Sequence, residues 1–181
     1  ELIISEYVEG SGSNKAIEIA NFTGASVDLS NYSLRKETNG AGGWTATVLS
    51  LSGTLANGDV YVIVNNAADV ATKANGDLLT TSDVMAFNGN DPIGLFKSGT
   101  LIDIVGTLGG GTANFAIDQT LVRKSSVNTP NTTYTIAEWD SFAQDDVSDL
   151  GTHTNDGTGN GASELIISEY VEGSGSNKAI E

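Results

Sequence analysis

The chain has 181 residues, enough for one domain with a sizeable core, and a formal net charge of −15 at pH 7. This acidity argues against nucleic-acid binding, because phosphates would be repelled. The absence of cysteine excludes disulfides and thiol chemistry. No apolar run approaches the roughly 18 residues of a membrane span, so we expect no such span.

The chain begins with a predicted β-hairpin. Residues 2–8 are β-branched and aromatic, residues 10–14 read GSGSN, and residues 15–21 resume a strand pattern. Because apolar and polar residues alternate in the second arm, with Ile17 and Ile19 on one side, we expect a strand with one buried face.

Later segments predict further strands, one short helix and a hairpin turn. A turn and then a strand are expected within 25–35, and further strands at 44–51, 60–64 (a central strand), 84–87, 93–97, 101–105 and 120–124, the last clear strand before residues 138–139. A helix is expected within 67–74 and a turn at 88–91. Strands at this spacing, with 22 glycines and 2 prolines, predict a β-sandwich or barrel.

The first 18 residues recur at the end of the chain. Residues 164–181 are identical to residues 1–18, so each position has a twin 163 places later. The repeat is either the opening of the next period of a tandem array or a deliberate duplication. Residues 1–163 alone carry a charge of −12, because the second copy contributes four Glu and one Lys.

Residues 164–181 are predicted to dock in the place that residues 1–18 fill, either on a neighbouring molecule or on the domain of their own chain. Leaving their apolar side chains in water forfeits about 1.5–3 kcal/mol for each that could be buried. Strand addition would then join copies head to tail into filaments. The expected assembly residues are Leu2, Ile4, Tyr7, Val8 and Ile17, with their twins Leu165, Ile167, Tyr170, Val171 and Ile180. Alternatively, the second copy is incidental and packs only in a crystal.

Several sequence blocks occur in a fixed order: SEYVEG, NKAIEIAN, VDLSNYSL, GDVYVIVNN, FNGNDPIGLFKSGTLIDIVGT, TLVRKSSV and EWDSFAQDDVSDLGTHT. Together they resemble the bacterial lamin-tail domain over about residues 1–154. The resemblance implies an all-β, immunoglobulin-like β-sandwich in an extracellular or cell-surface setting. It implies an accessory module without catalytic residues. The expected organisation is a sandwich at 1–154, a flexible Gly/Asn-rich linker at 155–163 and the repeated hairpin at 164–181.

The acidic residues suggest one cofactor hypothesis, the binding of calcium. Calcium takes six to eight oxygen ligands, often from loops. The candidates are Glu6 and Glu18 with Glu9 around the first hairpin, the turn residues Asn88, Asn90 and Asp91, and the acidic residues Asp145, Asp146 and Asp149. Glu6 and Glu18 should repel one another on adjacent strands unless a cation or Lys15 lies between them.

Catalysis finds little support in the residues. The single histidine, His153, lies in a polar tail and is expected at the surface or a strand end, which argues against a Ser-His triad. Aromatic residues are expected in the core, with a sugar-binding face as the alternative. The sequence therefore favours a structural module that binds copies of itself. The alternatives are a ligand-binding or adhesion module of a surface protein and an accessory domain of a secreted nuclease.

Overall fold

The computed structural model describes residues 1–156 and two short strands at 170–172 and 178–180. Its strands are β1 (Ile3–Glu9), β2 (Lys15–Ala20), β3 (Val27–Asp28), β4 (Tyr32–Lys36), β5 (Leu49–Ser50), β6 (Thr54–Leu55), β7 (Val60–Asn65), β8 (Leu78–Thr80), β9 (Ile93–Lys97), β10 (Thr100–Val105), β11 (Gln119–Arg123), β12 (Trp139–Ala143), β13 (Tyr170–Glu172) and β14 (Lys178–Ile180). One α-helix, α1 (Val70–Lys73), and 3₁₀ helices at Leu29–Asn31, Asp83–Met85 and Ile136–Glu138 complete the described elements.

Two sheets form the sandwich. The larger has the strand order β12-β11-β1-β2-β7-β8, and the smaller has the order β10-β9-β4-β5. Every neighbouring pair in these two sheets is antiparallel except β7 and β8, which are parallel. The N-terminal hairpin, β1 and β2, therefore occupies the middle of the larger sheet, between β11 and β7.

Apolar side chains from both sheets fill the space between them. Tyr7, Ile17 and Ile63 of the larger sheet share one buried cluster with Leu34 and Leu95 of the smaller sheet. This arrangement is the predicted immunoglobulin-like β-sandwich, and the all-β fold class is confirmed.

The outer face of the larger sheet is also covered. A second apolar cluster contains Val8, Ala16 and Val64 from this face and Leu150 from the segment after β12. All six residues of β2 are buried. The expectation of one buried face was therefore wrong for this strand, because the later segment folds back over the side that would otherwise meet water.

Local predictions met different outcomes. The helix within 67–74 is confirmed as α1, where the Asp69 side chain accepts a hydrogen bond from the Thr72 amide. The strand predicted at 84–87 was wrong, because a 3₁₀ helix capped by Ser82 covers Asp83–Met85. The strand predicted at 44–51 is reduced to β5 and one isolated bridge between Trp44 and Glu37.

Candidate functional site: the N-terminal hairpin and its cover

The five assembly residues predicted in the first copy are all fully buried. Leu2, Ile4, Tyr7 and Ile17 lie in the core between the sheets, whereas Val8 lies in the outer cluster. Because β1 pairs with β11 and β2 pairs with β7, both edges of the hairpin are already hydrogen-bonded. The hairpin is thus an internal part of the body, with no edge open to a partner.

Tyr7 connects the hairpin to Phe87 and Asn88, in the segment that precedes β9. Its hydroxyl donates a hydrogen bond of 3.0 Å to the carbonyl oxygen of Asn88. Its ring stacks on Phe87 with 4.6 Å between the ring centroids. Complete burial raises the pKa of Tyr7 well above its ordinary value, so the hydroxyl stays protonated and able to donate.

The hairpin turn is held by two aspartates that lie far away in the sequence. Asp145 Oδ1 accepts hydrogen bonds from the Ser11 amide at 2.8 Å and from Asn14 Nδ2 at 3.0 Å. Asp69 Oδ2 accepts from Asn14 Nδ2 at 3.2 Å, and the Asp69 amide donates to Asn14 Oδ1 at 2.8 Å. Gly10 leaves no room for a side chain, because an added Cβ would lie 2.6 Å from the Asn14 carbonyl oxygen.

We call residues 144–151 the covering segment, because they lie over the outer face of the hairpin. Val147 and Leu150 pack in the outer cluster with Val8. The Gly151 amide donates a hydrogen bond of 2.7 Å to Glu18 Oε2 on β2. From the sequence, this segment was predicted only to be an acidic loop. Nothing in its local pattern indicated hydrogen bonds to hairpin residues more than 130 positions earlier in the chain.

Lys15 does not lie between Glu6 and Glu18, which corrects one possibility raised by the sequence. Its Nζ instead forms a buried ion pair with Glu9 Oε1 at 2.7 Å. The other oxygen of Glu9 accepts a hydrogen bond from the Asp118 amide. Register explains the choice, because Glu9 is directly opposite Lys15, whereas Glu6 is directly opposite Glu18.

Glu6 and Glu18 thus form a directly opposed pair of buried acids, 1% and 0% exposed. Glu18 is hydrogen-bonded, since Ser5 Oγ donates to Oε1 at 2.7 Å and the Gly151 amide donates to Oε2. Within the described residues, neither carboxyl oxygen of Glu6 has a hydrogen-bond partner.

Burial is the main cause of the pKa shifts of this pair. Burial, reinforced by the charges of Glu18, Asp149 and Asp146, raises the pKa of Glu6 to about 9. Burial also raises the pKa of Glu18 to about 7, although its bonds from Ser5 and Gly151 act in the opposite direction. Both acids therefore hold protons well above the pH at which a free carboxyl group ionises.

Glu6 faces a small cavity under the covering segment. The cavity measures about 20 Å³, roughly the space for one water molecule. It is lined by Glu6, Thr120, Val122, Phe142, Asp146, Ser148 and Asp149. The structure thereby brings together two groups of acids that the sequence placed apart, the hairpin pair and the acidic run.

The other predicted calcium ligands serve the turn before β9. Asp91 accepts hydrogen bonds from the amides of Asn39 at 2.6 Å and Asn88 at 3.0 Å, and Asn90 donates its amide to Asn88 Oδ1. Among the residues that the structure describes, no group of three acidic or histidine side chains could hold a metal ion. The structure thus does not identify Glu6, Glu18 or the turn residues as metal ligands, and calcium stays a prediction from sequence.

The described part of the second copy pairs as the first copy does. Tyr170 is opposite Ile180 and Val171 is opposite Ala179 in β13 and β14. The twin pairs in β1 and β2 are Tyr7 with Ile17 and Val8 with Ala16. Two predicted assembly residues, Leu165 and Ile167, and most of the predicted linker lie outside the described residues.

The single histidine, His153, expected at the surface or a strand end, is half-buried against Phe22, with 5.9 Å between the ring centroids. Burial lowers its pKa, so at neutral pH the ring is uncharged.

None of the helices among the described residues is long and apolar enough to cross a membrane.

Comparison with known proteins agrees with the fold. No curated protein matches the sequence. The Lamin Tail Domain family matches residues 1–109, which include the N-terminal hairpin and all four strands of the smaller sheet. β11 and β12 lie beyond the matched residues and complete the larger sheet beside β1. Because the match covers more than half of the sequence, the chain belongs to the lamin tail domain family.

Proposed function

We propose that the chain is a non-catalytic extracellular module that joins copies of itself head to tail by exchanging its terminal hairpin. Residues 164–181 of one copy would occupy the place that residues 1–18 hold in the next. One observation carries this proposal. The second hairpin has the sequence and the strand register of a hairpin that forms the middle of the larger sheet.

Exchange fits the position of the hairpin better than simple strand addition. Strand addition needs an open sheet edge. In the body, β11 and β7 already occupy both edges of the hairpin. An incoming hairpin must therefore replace the resident one, and in return it would regain every contact that the resident hairpin makes.

The buried apolar surface explains why the place would not stay empty. Leu2, Ile3, Ile4, Tyr7, Val8, Ile17 and Ile19 are each at most 1% exposed. At about 1.5–3 kcal/mol for each side chain, their removal costs roughly 10–20 kcal/mol. This range matches or exceeds the whole stability of a typical domain, about 5–15 kcal/mol. A body that loses one hairpin therefore needs another.

The path of the chain supports delivery of the second hairpin to either of two places. The Asp156 amide donates a hydrogen bond of 3.0 Å to the carbonyl oxygen of Ser125, just after β11. Continuing the antiparallel β1–β11 register places Ser125 near the start of β1. Residues 157–163 can reach at most about 24 Å, enough to return to this start or to cross to a neighbour. Protein concentration then decides between the two.

The experiment compares oligomers of the full chain and of Val171→Asp after unfolding and refolding at high concentration. We expect a ladder of oligomers by light scattering for the unchanged chain and monomers for the variant, because a charge in place of Val171 prevents burial where Val8 lies. Val70→Asp adds the same charge at a side chain that is 81% exposed, and it should keep the ladder. An identical ladder in Val171→Asp would rule out the exchange.

The non-catalytic and extracellular parts of the proposal have separate support. The family is a structural one. The charge of −15 suits a module that stays soluble outside the cell. Fractionation of the source cells with an antibody tests the location. Recovery of the chain in the cytoplasm would contradict it.

A second candidate function is the binding of a small polar ligand. An open cleft of about 390 Å³ is lined by residues that include Glu1, Asn31, Tyr32 and Lys97, and its volume is in the range of ligand sites. Lys97 Nζ is 2.7 Å from Glu1 Oε1, so a ligand would compete with this ion pair. Titration with a panel of oligosaccharides, followed by calorimetry in the unchanged chain and in Tyr32→Phe, tests this candidate, and the absence of any binding heat in the unchanged chain would contradict it.

A further inference from the structure

The covering segment restrains the N-terminal hairpin at its turn and on both strands. Asp145 accepts hydrogen bonds from the turn, and Gly151 donates one to Glu18 on β2. Val147 packs in the same outer cluster as Val8 on β1. The hairpin therefore cannot leave the larger sheet until the covering segment has moved away.

Glu6 is a buried acid without hydrogen-bond partners beneath this segment, within the described residues. It is 1% exposed, and neither of its carboxyl oxygens has a hydrogen-bond partner within the described residues. Its side chain faces the cavity of about 20 Å³ under the segment. A neutral carboxyl group is tolerated in such a place, whereas a carboxylate without a partner is strongly disfavoured.

The surroundings of Glu6 make ionisation harder still. The charged groups that face it are all acidic: Glu18 on β2, and Asp146 and Asp149 on the covering segment. β11 and β12 contribute only uncharged side chains to the cavity, which are Thr120, Val122 and Phe142. A negative charge on Glu6 would therefore repel two aspartates of the segment that covers it.

We propose that the covering segment is a proton-controlled latch on the N-terminal hairpin, closed while Glu6 carries a proton and released when Glu6 ionises. The raised pKa of Glu6 agrees with a closed latch at neutral pH. Opening lets water and counter-ions reach the carboxylate, so the open form is favoured as pH rises. The inference goes beyond hairpin exchange, and opening can be measured without any exchange.

Amide hydrogen exchange of Gly151 and Ser11 in the full chain measures the opening. Both amides donate to bonds that break when the segment lifts. At each pH, the rate in the unchanged chain is divided by the rate in Glu6→Gln, which keeps the shape and cannot ionise. We expect this ratio to rise about tenfold for each pH unit up to about 9 and then to level off. The matched control Glu1→Gln removes an exposed carboxyl group and should behave as the unchanged chain.

A ratio that stays constant between about pH 6 and 9 would overturn the latch. Oligomer formation plays no part in these outcomes, so they are independent of the proposed function.

A second variant keeps the test open if Glu6→Gln does not fold. Asp149 raises the pKa of Glu6, so Asp149→Asn should lower it. The opening constant of this variant, after correction for the intrinsic exchange rate, should level off at a lower pH than in the unchanged chain. If the opening constant of Asp149→Asn levels off at the same pH as that of the unchanged chain, the role assigned to Glu6 is wrong.

Discussion

Arg123 and Asp103 form an ion pair that joins the two sheets of the sandwich. Arg123 ends β11 in the larger sheet, and Asp103 lies on β10 in the smaller sheet. Their side chains are 0% exposed, with 3.3 Å between Arg123 Nη1 and Asp103 Oδ2. Asp103 Oδ2 also accepts a hydrogen bond of 2.7 Å from the Ile4 amide. The pair therefore ties both sheets to the start of the N-terminal hairpin.

Replacing Arg123 by Met should be strongly destabilising. The variant leaves Asp103 buried without its cation, and breaking a buried ion pair in this way costs about 3–5 kcal/mol. Urea unfolding measures the loss. The control Lys124→Met removes an exposed ion pair with Asp140 and hydrogen bonds to the carbonyl oxygens of Ala137 and Trp139, and it should cost less, about 1–2 kcal/mol. Equal losses in the two variants would show that the buried pair has no special weight.

The stability of the chain should fall as pH rises above neutrality. Glu6 has a pKa of about 9 in the folded chain and an ordinary value of 4.5. The folded state therefore binds more protons than the unfolded state between these values, and the contribution of Glu6 is lost as pH rises through this window. The slope reaches about 1.4 kcal/mol per pH unit.

Urea unfolding at a series of pH values, with Glu6→Gln for comparison, isolates this effect. Glu18 adds a loss of the same sign, but its window ends at about pH 7. Above pH 7, the difference between the unchanged chain and Glu6→Gln therefore reports Glu6. Parallel curves for the two proteins would show that Glu6 does not stay protonated in the folded chain.

The repeated hairpin should rescue damage to its twin. In a chain ended at residue 163, Val8→Asp places a charge in the outer cluster and should unfold the body. In the full chain, residues 164–181 can take the damaged hairpin's place, so Val8→Asp should leave a folded body. Circular dichroism at several concentrations separates rescue within one copy, which is independent of concentration, from rescue between copies. Equal damage with and without residues 164–181 would exclude replacement.

Gly10→Ala should loosen the covering segment. An added Cβ would collide with Asp145 Oδ1 and with the Asn14 carbonyl oxygen. We expect a loss of about 1–3 kcal/mol in urea unfolding, as for overpacked cores, with faster exchange of the Ser11 amide. The control Gly43→Ala meets no atom within 4 Å and should be nearly neutral. Slower exchange in Gly10→Ala would contradict the contact.

Local pattern succeeded where neighbouring residues decide the structure. The hairpin at 2–21, the helix near Val70 and the strand beginning at Val60 follow from alternation, turn residues and capping. Local pattern failed at 84–87, where the apolar residues predicted a strand. Ser82 instead caps a 3₁₀ helix that covers Asp83–Met85. Local pattern also failed for the outer face of β2, because the side chains that cover this face come from Val147 and Leu150.

By itself, the sequence determined the all-β fold, the strong acidity and an 18-residue sequence present twice, because composition, alternation and identity are written in consecutive residues. Tertiary structure decided that this hairpin is internal, that Lys15 pairs with Glu9 and that Glu6 is buried beneath distant aspartates. Those outcomes depend on strand register and on a segment more than 130 residues away closing over the sheet. Register fixes which side chains meet, and only the folded chain fixes the register.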